Sequence, residues 1–277
     1  MAAGKGKFHD DFRLSITKAL GDQLAGALAH LGRAPLNVAT LAQIDERAGV
    51  YQLYLDGKFI YVGKADRSLR ERLAHHLLKL SGRRNIELEK ITFSCLYVEE
   101  DFSALAPEQL LISHHKGMGE IPWNNNGFGN KDPGRQRDRT ILKASHFDVT
   151  YPIDLNLEIE GLIPGDYPLN ALLKLVKQNL PYTFRYKEPL RAKYNYLRIP
   201  DGDMTVDRVL RLISGAVPDT WQITALMGYV IMYDDAPTEY ESAWRYYRAG
   251  VAIDTTPDVE VGGDIEADVE PLWHTQD

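Results

Sequence analysis

Residues 48–65 read AGVYQLYLDGKFIYVGKA, and this stretch decides the local fold. Apolar and aromatic residues flank Asp56-Gly57, a dipeptide that favours a tight turn between two antiparallel strands. The segment therefore predicts a β-hairpin with Tyr51 on the first strand and Tyr61 on the second. With a two-residue turn and no bulge the two tyrosines face opposite sides of the sheet, whereas an odd-length turn or a bulge places both on one face.

The residues after the hairpin predict a compact α+β unit. Ser68 and Glu71 fit a capping box, and leucines at helical spacing follow them, so a helix is expected over 68–80. Alternation over 91–98 predicts a strand, and the pattern over 103–115 predicts another helix. Later in the chain, helices are expected over 170–178, 205–214 and 238–247, and a strand-like apolar run over 221–233.

These patterns predict an α+β fold, with a small mixed or antiparallel sheet flanked by helices and with embellishments at both ends. The expected segments are an N-terminal arm and helix (1–45), the compact core (46–130), a C-terminal embellishment (131–250) and an acidic tail (251–277). The tail holds eight acids and no Lys or Arg, and it lacks the periodicity of a packed element, so it is expected to be disordered.

Composition excludes several classes of protein. The single cysteine, Cys95, excludes a disulfide framework and a zinc site built from several thiolates. No apolar run approaches the roughly 18 residues that a membrane span needs, so no membrane association is expected and the location is expected to be cytoplasmic.

The net charge of −7 by itself argues against a nucleic-acid partner, but the charge is distributed unevenly along the chain. The eight acids of the tail exceed the whole deficit, so residues 1–250 carry +1. Nine basic residues against four acids give 58–90 a local charge of +5. Local patches decide phosphate binding, and a second basic run consists of Lys131, Arg135, Arg137, Arg139 and Lys143.

Three polar residues near the hairpin occupy positions typical of a site. Arg72 and His76 are four residues apart and therefore share a face of their predicted helix. Glu108 lies three residues after Leu105 and four before Ile112, which places its carboxylate on an apolar face of the second predicted helix.

Two short motifs in the hairpin are followed along the chain by further residues typical of a catalytic site. Gly49-Val50-Tyr51 precedes Tyr61-Val62-Gly63, and Lys64-Ala65, Arg72, His76, Glu108 and Pro122-Trp123-Asn124 follow in order. In this order and spacing the residues of about 48–130 resemble the GIY-YIG nuclease family. The segments 127–134, 151–155 and 180–185 are similar to the branch of that family formed by Type II restriction endonucleases.

The resemblance implies a Mg²⁺-dependent, sequence-specific DNA endonuclease, and it implies a role for each motif residue. Tyr51 would be the general base, Arg72 would contact the scissile phosphate, and Glu108 would hold a single Mg²⁺, or Mn²⁺ in its place. Tyr61 and His76 would orient water or phosphate, with His76 able to shuttle the proton.

The remaining assignments concern the DNA. Asn124 is expected to be a structural or phosphate-side donor, and Lys64 a cation near the Tyr51 phenolate. Contacts to DNA are expected from Lys64, Asn130, Arg135 and Arg185. The partner would be double-stranded DNA, and a palindromic target would suit a two-fold homodimer.

Other interpretations remain open. The same scaffold could carry a structure-selective repair nuclease or a phage-defence nuclease. A different class would be a DNA-binding protein that kept the scaffold and lost catalysis. The motif residues also have ordinary explanations. Tyr51 and Tyr61 could be strand tyrosines half-buried beside Tyr54 and Phe59. Arg72 and His76 could lie on a solvated helix edge, Glu108 could favour the start of its helix through the helix dipole, and Asn124 could be a turn residue.

Overall fold

The computed structural model describes residues 16–98, 111–112, 121–129 and 134–260, with side chains from residue 19 onward. The chain divides into two compact units, one formed by Met1–Leu77 with Glu87–Asn125 and the other by Leu78–Ile86 with Asn126–Asp277. The helix expected within 1–45 belongs to the first unit, and residues 1–15 of that segment lie outside the described residues. Both units combine helices with largely antiparallel sheets, so the fold is α+β.

The first unit is built on a four-stranded antiparallel sheet with the order β1-β4-β2-β3. Helix α3 begins in this unit and its last residues belong to the second. The elements are α1 (Ile16–Ala29), β1 (Ala34–Pro35), α2 (Val38–Leu41), β2 (Gly49–Leu55), β3 (Lys58–Ala65), α3 (Leu69–Ser81) and β4 (Ile91–Tyr97).

The β2–β3 hairpin contains the irregularity on which a shared tyrosine site depends. Its turn has two residues, because Leu55 pairs with Lys58, and positive φ angles of 49° at Asp56 and 74° at Gly57 suit a primed turn. The register then shifts between Leu53 and Tyr54, and a bulge in β3 opposes these two residues. The prediction of an odd-length turn or a bulge is confirmed.

The bulge reverses the alternation in the rest of β3. Leu53 pairs with Tyr61 and Tyr51 pairs with Gly63, so Tyr51 and Tyr61 lie on one face of the sheet. The opposite face carries Val50 and Val62, and it packs against α1 in a cluster that includes Leu24, Ala25, Leu28, Leu111 and Ile121. One face of the hairpin therefore contributes Val50 and Val62 to an apolar core, and the other carries both tyrosines.

The second unit has a five-stranded sheet with the order β12-β11-β9-β10-β7, in which only the β10–β7 pair is parallel. Its helices and strands are β5 (Leu142–Lys143), α4 (Phe147–Thr150), β6 (Gly165–Pro168), α5 (Leu169–Asn179), β7 (Phe184–Tyr186), β8 (Tyr196–Ile199), α6 (Val206–Gly215), β9 (Gln222–Leu226), β10 (Val230–Tyr233), β11 (Ala243–Arg248), β12 (Val251–Asp254) and β13 (Val259–Glu260).

This second unit has a hydrophobic core of its own, larger than an embellishment needs. Helices α5 and α6 place one apolar stripe each against the five-stranded sheet. The buried side chains include Leu172, Leu173 and Val176 of α5, Val209, Leu210 and Ile213 of α6, and Ile223, Ala225, Val230 and Met232 of the sheet. The helices expected over 170–178 and 205–214 are confirmed.

Two expectations for the end of the chain are wrong. Ala243–Arg248 forms strand β11, which occupies the second half of the helix expected over 238–247. The predicted disordered tail is ordered over 251–260, since β12 pairs with β11 and β13 pairs with β5. The carboxylate of Asp254 accepts a hydrogen bond from Arg245 at 2.5 Å, so one of the acids of the supposed tail is part of the sheet.

None of the helices in the described ranges combines the length and the apolar character that crossing a membrane requires.

Candidate active site

The hydroxyl of Tyr51 is the centre of a buried polar cluster between β2 and α3. It lies 2.6 Å from Nε2 of His76, and it accepts a hydrogen bond from Nε of Arg72 at 3.2 Å. The Tyr51 oxygen uses a lone pair on Arg72, so its own hydrogen is available to Nε2 when that nitrogen is unprotonated. The geometry therefore allows a proton to pass between the phenol and the imidazole.

Tyr61 completes the cluster from the neighbouring strand. Its ring centroid is 6.1 Å from that of Tyr51 and 5.5 Å from that of His76, which it meets edge-on. Tyr51, Tyr61 and His76 are 0%, 3% and 4% exposed, so neither tyrosine is the half-buried strand residue of the ordinary explanation. Tyr54 and Phe59 form a separate ring pair, with centroids 5.8 Å apart.

Arg72 supplies the positive charge of this cluster. Burial acts to lower the pKa of its guanidinium, but the Tyr51 and Tyr61 hydroxyls outweigh that effect and the pKa is raised. A fixed cation beside the Tyr51 oxygen favours negative charge there. Arg72 is half-buried, whereas the other three side chains are buried, so it is the first of the four that a phosphate from solution meets.

Gly63 lets the two tyrosines approach each other over the hairpin. A Cβ at this position would lie within 2.5 Å of Cζ of Tyr51 and 2.8 Å from Cε1 of Tyr61. The Tyr51 ring cannot yield easily, because its hydroxyl is bonded to His76 and Arg72. The glycine is therefore required by packing, a role that the spacing of the motif does not reveal.

A Gly63→Ala protein is expected to lose about 1–3 kcal/mol of unfolding free energy, the usual range for overpacking a tight site. Urea unfolding at neutral pH measures this loss. Gly32→Ala is the matched control, since a Cβ at Gly32 meets nothing within 4 Å. Equal stability of the two variants would contradict the close packing at Gly63.

Asn124 holds the edge of β3 and does not reach the tyrosine hydroxyls. Its Oδ1 accepts from the backbone N–H of Val62 at 2.9 Å, and its Nδ2 donates to the carbonyl of the same residue at 2.8 Å. The neighbouring N–H of Trp123 donates to the carbonyl of Ile60 at 2.8 Å. Of the two roles expected for Asn124, the geometry supports the structural one, so it is a positioning residue.

Lys64 does not join the cluster, which corrects its expected place near the Tyr51 phenolate. Lys64 pairs with Val50 in the hairpin ladder, so strand alternation places it on the face opposite Tyr51. Its ammonium group forms an ion pair with Asp66 at 3.0 Å, and 38% of the side chain is exposed.

The two predicted DNA contacts of the second unit already have protein partners. The guanidinium of Arg185 lies 2.6 Å from the carboxylate of Asp138, which is buried. The guanidinium of Arg135 lies 4.2 Å from the ring centroid of Tyr233, and Arg135 is exposed. Of the two, Arg135 is the more accessible to a ligand. Asn130 lies outside the described residues.

The metal assignment rests on Glu108, which also lies outside the described residues. Within the described ranges no group of three or more His, Cys, Asp or Glu side chains could hold a metal ion. A site with one carboxylate does not need such a group, because Mg²⁺ keeps several waters. The described side chains at the cluster are phenol, imidazole and guanidinium, none of which is a preferred Mg²⁺ ligand.

Compared with known proteins, the chain matches no family model, and none of the curated proteins is significantly similar to it in sequence. A function for it is therefore inferred from the side chains gathered around Tyr51.

Proposed function

We propose that the protein is a Mg²⁺-dependent, sequence-specific DNA endonuclease of the Type II restriction class, built on a GIY-YIG nuclease core. The observation that carries the proposal is the buried Tyr51 hydroxyl, which touches both His76 Nε2 and Arg72 Nε. A phenol has a pKa near 10 and is a weak base at neutral pH unless its environment favours the phenolate. A cation that stabilises the phenolate and a group that accepts the phenol proton, both at hydrogen-bonding distance, would make Tyr51 an effective base at neutral pH.

In this proposal His76 accepts the Tyr51 proton, and the phenolate oxygen takes a proton from the water that attacks the phosphate. Arg72 binds the phosphate through its planar donor fork as negative charge grows on the oxygens. The guanidinium donates to the Tyr51 hydroxyl through Nε, so its Nη groups are the donors left for a phosphate. Glu108 would hold Mg²⁺, which supplies Lewis-acid stabilisation of the phosphate when bound.

The proposed partner is double-stranded DNA, bound by a homodimer with one site per strand. The local charge of +5 over 58–90 supports a phosphate-bearing partner, since this segment contains Arg72 and His76. A cytoplasmic location belongs to the same proposal, because a restriction nuclease acts where foreign DNA arrives.

Digestion of plasmid DNA of known sequence tests the proposal. With Mg²⁺ present, the native protein is expected to give discrete fragments whose mapped ends share one short sequence. Glu108→Gln is expected to abolish cleavage, since the substituted side chain loses the charge that holds the metal. Glu71→Gln, at an exposed position of α3, is the control and is expected to cleave normally.

Two results would contradict parts of this proposal. Unchanged cleavage by Glu108→Gln would remove the metal assignment. Nicks confined to damaged or branched DNA would replace restriction by a repair nuclease.

The complete burial of Tyr51 favours a second candidate, a DNA-binding protein on the same scaffold without catalysis. In that case the tyrosine, histidine and arginine would be a structural network beneath a phosphate-binding surface. Specific binding of duplex DNA with no cleavage in Mg²⁺ or Mn²⁺ would support this candidate over the nuclease.

A further inference from the structure

The second unit contains a cavity of about 470 Å³ that the proposed nuclease chemistry does not use. All of its lining residues belong to this unit, and they include the end of α3, helix α5 and the start of β7. Its volume lies in the range of about 300–1,000 Å³ that is usual for small-molecule sites. Lys177 and Thr183 line it and are exposed, so solvent reaches the cavity.

The cavity has an excess of positive charge. Lys79, Arg83, Arg137 and Lys177 line it, and Asp148 is the one carboxylate among the described lining residues. The Asp148 carboxylate is bonded to Arg83 at 2.9 Å and also to Arg137, so a single negative charge is shared by two guanidinium groups. Burial is the main cause of the lowered pKa of His146 beside Asp148, so the surroundings disfavour the charged imidazole.

Arg83 is a buried lining residue of this cavity, and hydrogen bonds hold its side chain in place. Its side chain is 3% exposed, and its Nη atoms donate to Asp148, to the carbonyl of Tyr151 at 3.1 Å and to that of Gly228 at 3.3 Å. Its buried Nε has no hydrogen-bond partner. A buried donor without a partner is unfavourable, so the Arg83 side chain is not fully satisfied by the protein groups around it.

Gly228 keeps the carboxylate and the arginines close together. A Cβ on this residue would overlap the Asp148 carboxylate, with 2.5 Å to its Cγ. Apolar and aromatic side chains line the rest of the cavity, among them Leu180, Tyr182 and Phe184. The cavity thus offers cations for an anionic group and an apolar wall for a flat, uncharged one.

We propose that this cavity binds a nucleoside phosphate, with the phosphate among Arg83, Arg137 and Lys177 and the base against the apolar wall. The volume exceeds what a bare phosphate fills, and the apolar lining gives a sugar phosphate little to contact. The nucleotide comes either from solution or from a DNA strand that turns one nucleotide out of its stack. The proposal does not depend on cleavage, since its residues are separate from Tyr51, Arg72 and His76.

Isothermal titration calorimetry of the full chain in EDTA tests this proposal. The probes are deoxyadenosine 5′-monophosphate, deoxyribose 5-phosphate and inorganic phosphate, and the nucleotide is expected to bind most tightly. Lys177→Glu is expected to weaken nucleotide binding about tenfold or more, the effect of losing a charged hydrogen bond. Lys174→Glu makes the same charge change one turn earlier on α5, at an exposed position that does not line the cavity, and is expected to bind as the native protein does.

Competition with a short duplex distinguishes the two sources of the nucleotide. Displacement of the nucleotide by the duplex assigns the cavity to a nucleotide within DNA, and binding of both together assigns it to a free nucleotide. The proposal is overturned by failure of the native protein to bind the nucleotide at millimolar concentration. Equal weakening by Lys177→Glu and Lys174→Glu also overturns it, because general surface charge would then explain the binding.

Discussion

A Tyr51→Phe protein is expected to remain folded and to lose DNA cleavage by a factor of about 10²–10⁴, the usual contribution of a general base. The substitution removes only the oxygen that contacts His76 Nε2 and Arg72 Nε, and it leaves the ring packed against Tyr61 and His76. The buried imidazole of His76 and the half-buried guanidinium of Arg72 each lose a partner, and the loss of a buried partner costs about 1–3 kcal/mol of stability. Cleavage rates at fixed Mg²⁺, with urea unfolding measured alongside, give both quantities.

Tyr54→Phe is the matched control for this experiment. Tyr54 is on the same strand, is 7% exposed, and faces the other side of the sheet, where its hydroxyl donates to Gln52 at 2.6 Å. Its loss is expected to lower stability by a similar amount and to leave the cleavage rate unchanged. If both variants cleave at the native rate, Tyr51 is a structural residue and the nuclease proposal loses its base.

The hairpin shows how far the sequence could predict the site. The composition of residues 49–65 was enough to predict two strands and a turn at Asp56-Gly57. Placing Tyr51 and Tyr61 on one face requires an odd-length turn or a bulge, which the site hypothesis predicts, and the hairpin has the bulge. Its place opposite Leu53 and Tyr54 was not predictable, because bulges depend on how both strands pack and not on the residue type at the bulge.

Strands β11 and β12 show where local patterns fail. The stretch over 243–248 contains Trp244, Tyr246 and Tyr247, residue types that favour strands, but a register shift in its pairing with β9 breaks the alternation that would reveal one. In 251–254 the strand signal is only four residues long, and it lies among acids. Strand β12 is stabilised by its pairing with β11 and by the contact between Arg245 and Asp254. Both are interactions with other parts of the fold, which composition cannot show.

The site residues divide in the same way. Arg72 and His76 share a helix face and both reach Tyr51, as their spacing predicts. The positive charge of Lys64 predicts a place beside the Tyr51 oxygen, but strand alternation puts Lys64 on the opposite face. Side-chain position relative to secondary structure was therefore predictable, whereas the choice of ion-pair partner was not.

An Asp148→Asn protein is expected to lose about 3–5 kcal/mol of unfolding free energy, the usual cost of breaking a buried ion pair by removing one partner. Asp148 is 4% exposed at its side chain, and it is the carboxylate that offsets Arg83 and Arg137. The asparagine keeps the shape of the side chain but leaves both guanidinium groups uncompensated. Asp166→Asn breaks the exposed pair with Arg198 and is expected to cost less than about 1 kcal/mol.

The pH dependence of that loss separates charge from shape. Burial alone would raise the pKa of Asp148, but Arg83 and Arg137 outweigh it and hold the pKa below its ordinary value. A carboxylate with a lowered folded-state pKa stabilises the protein above its unfolded pKa of about 3.9, and this contribution is lost as the pH falls through the folded-state pKa. The stability gap between native and Asp148→Asn proteins should therefore be constant from about pH 5 to 8 and should narrow below about pH 4. A gap of the same size in acid would mean that the asparagine disturbs packing, and the two arginines would then not depend on the Asp148 charge.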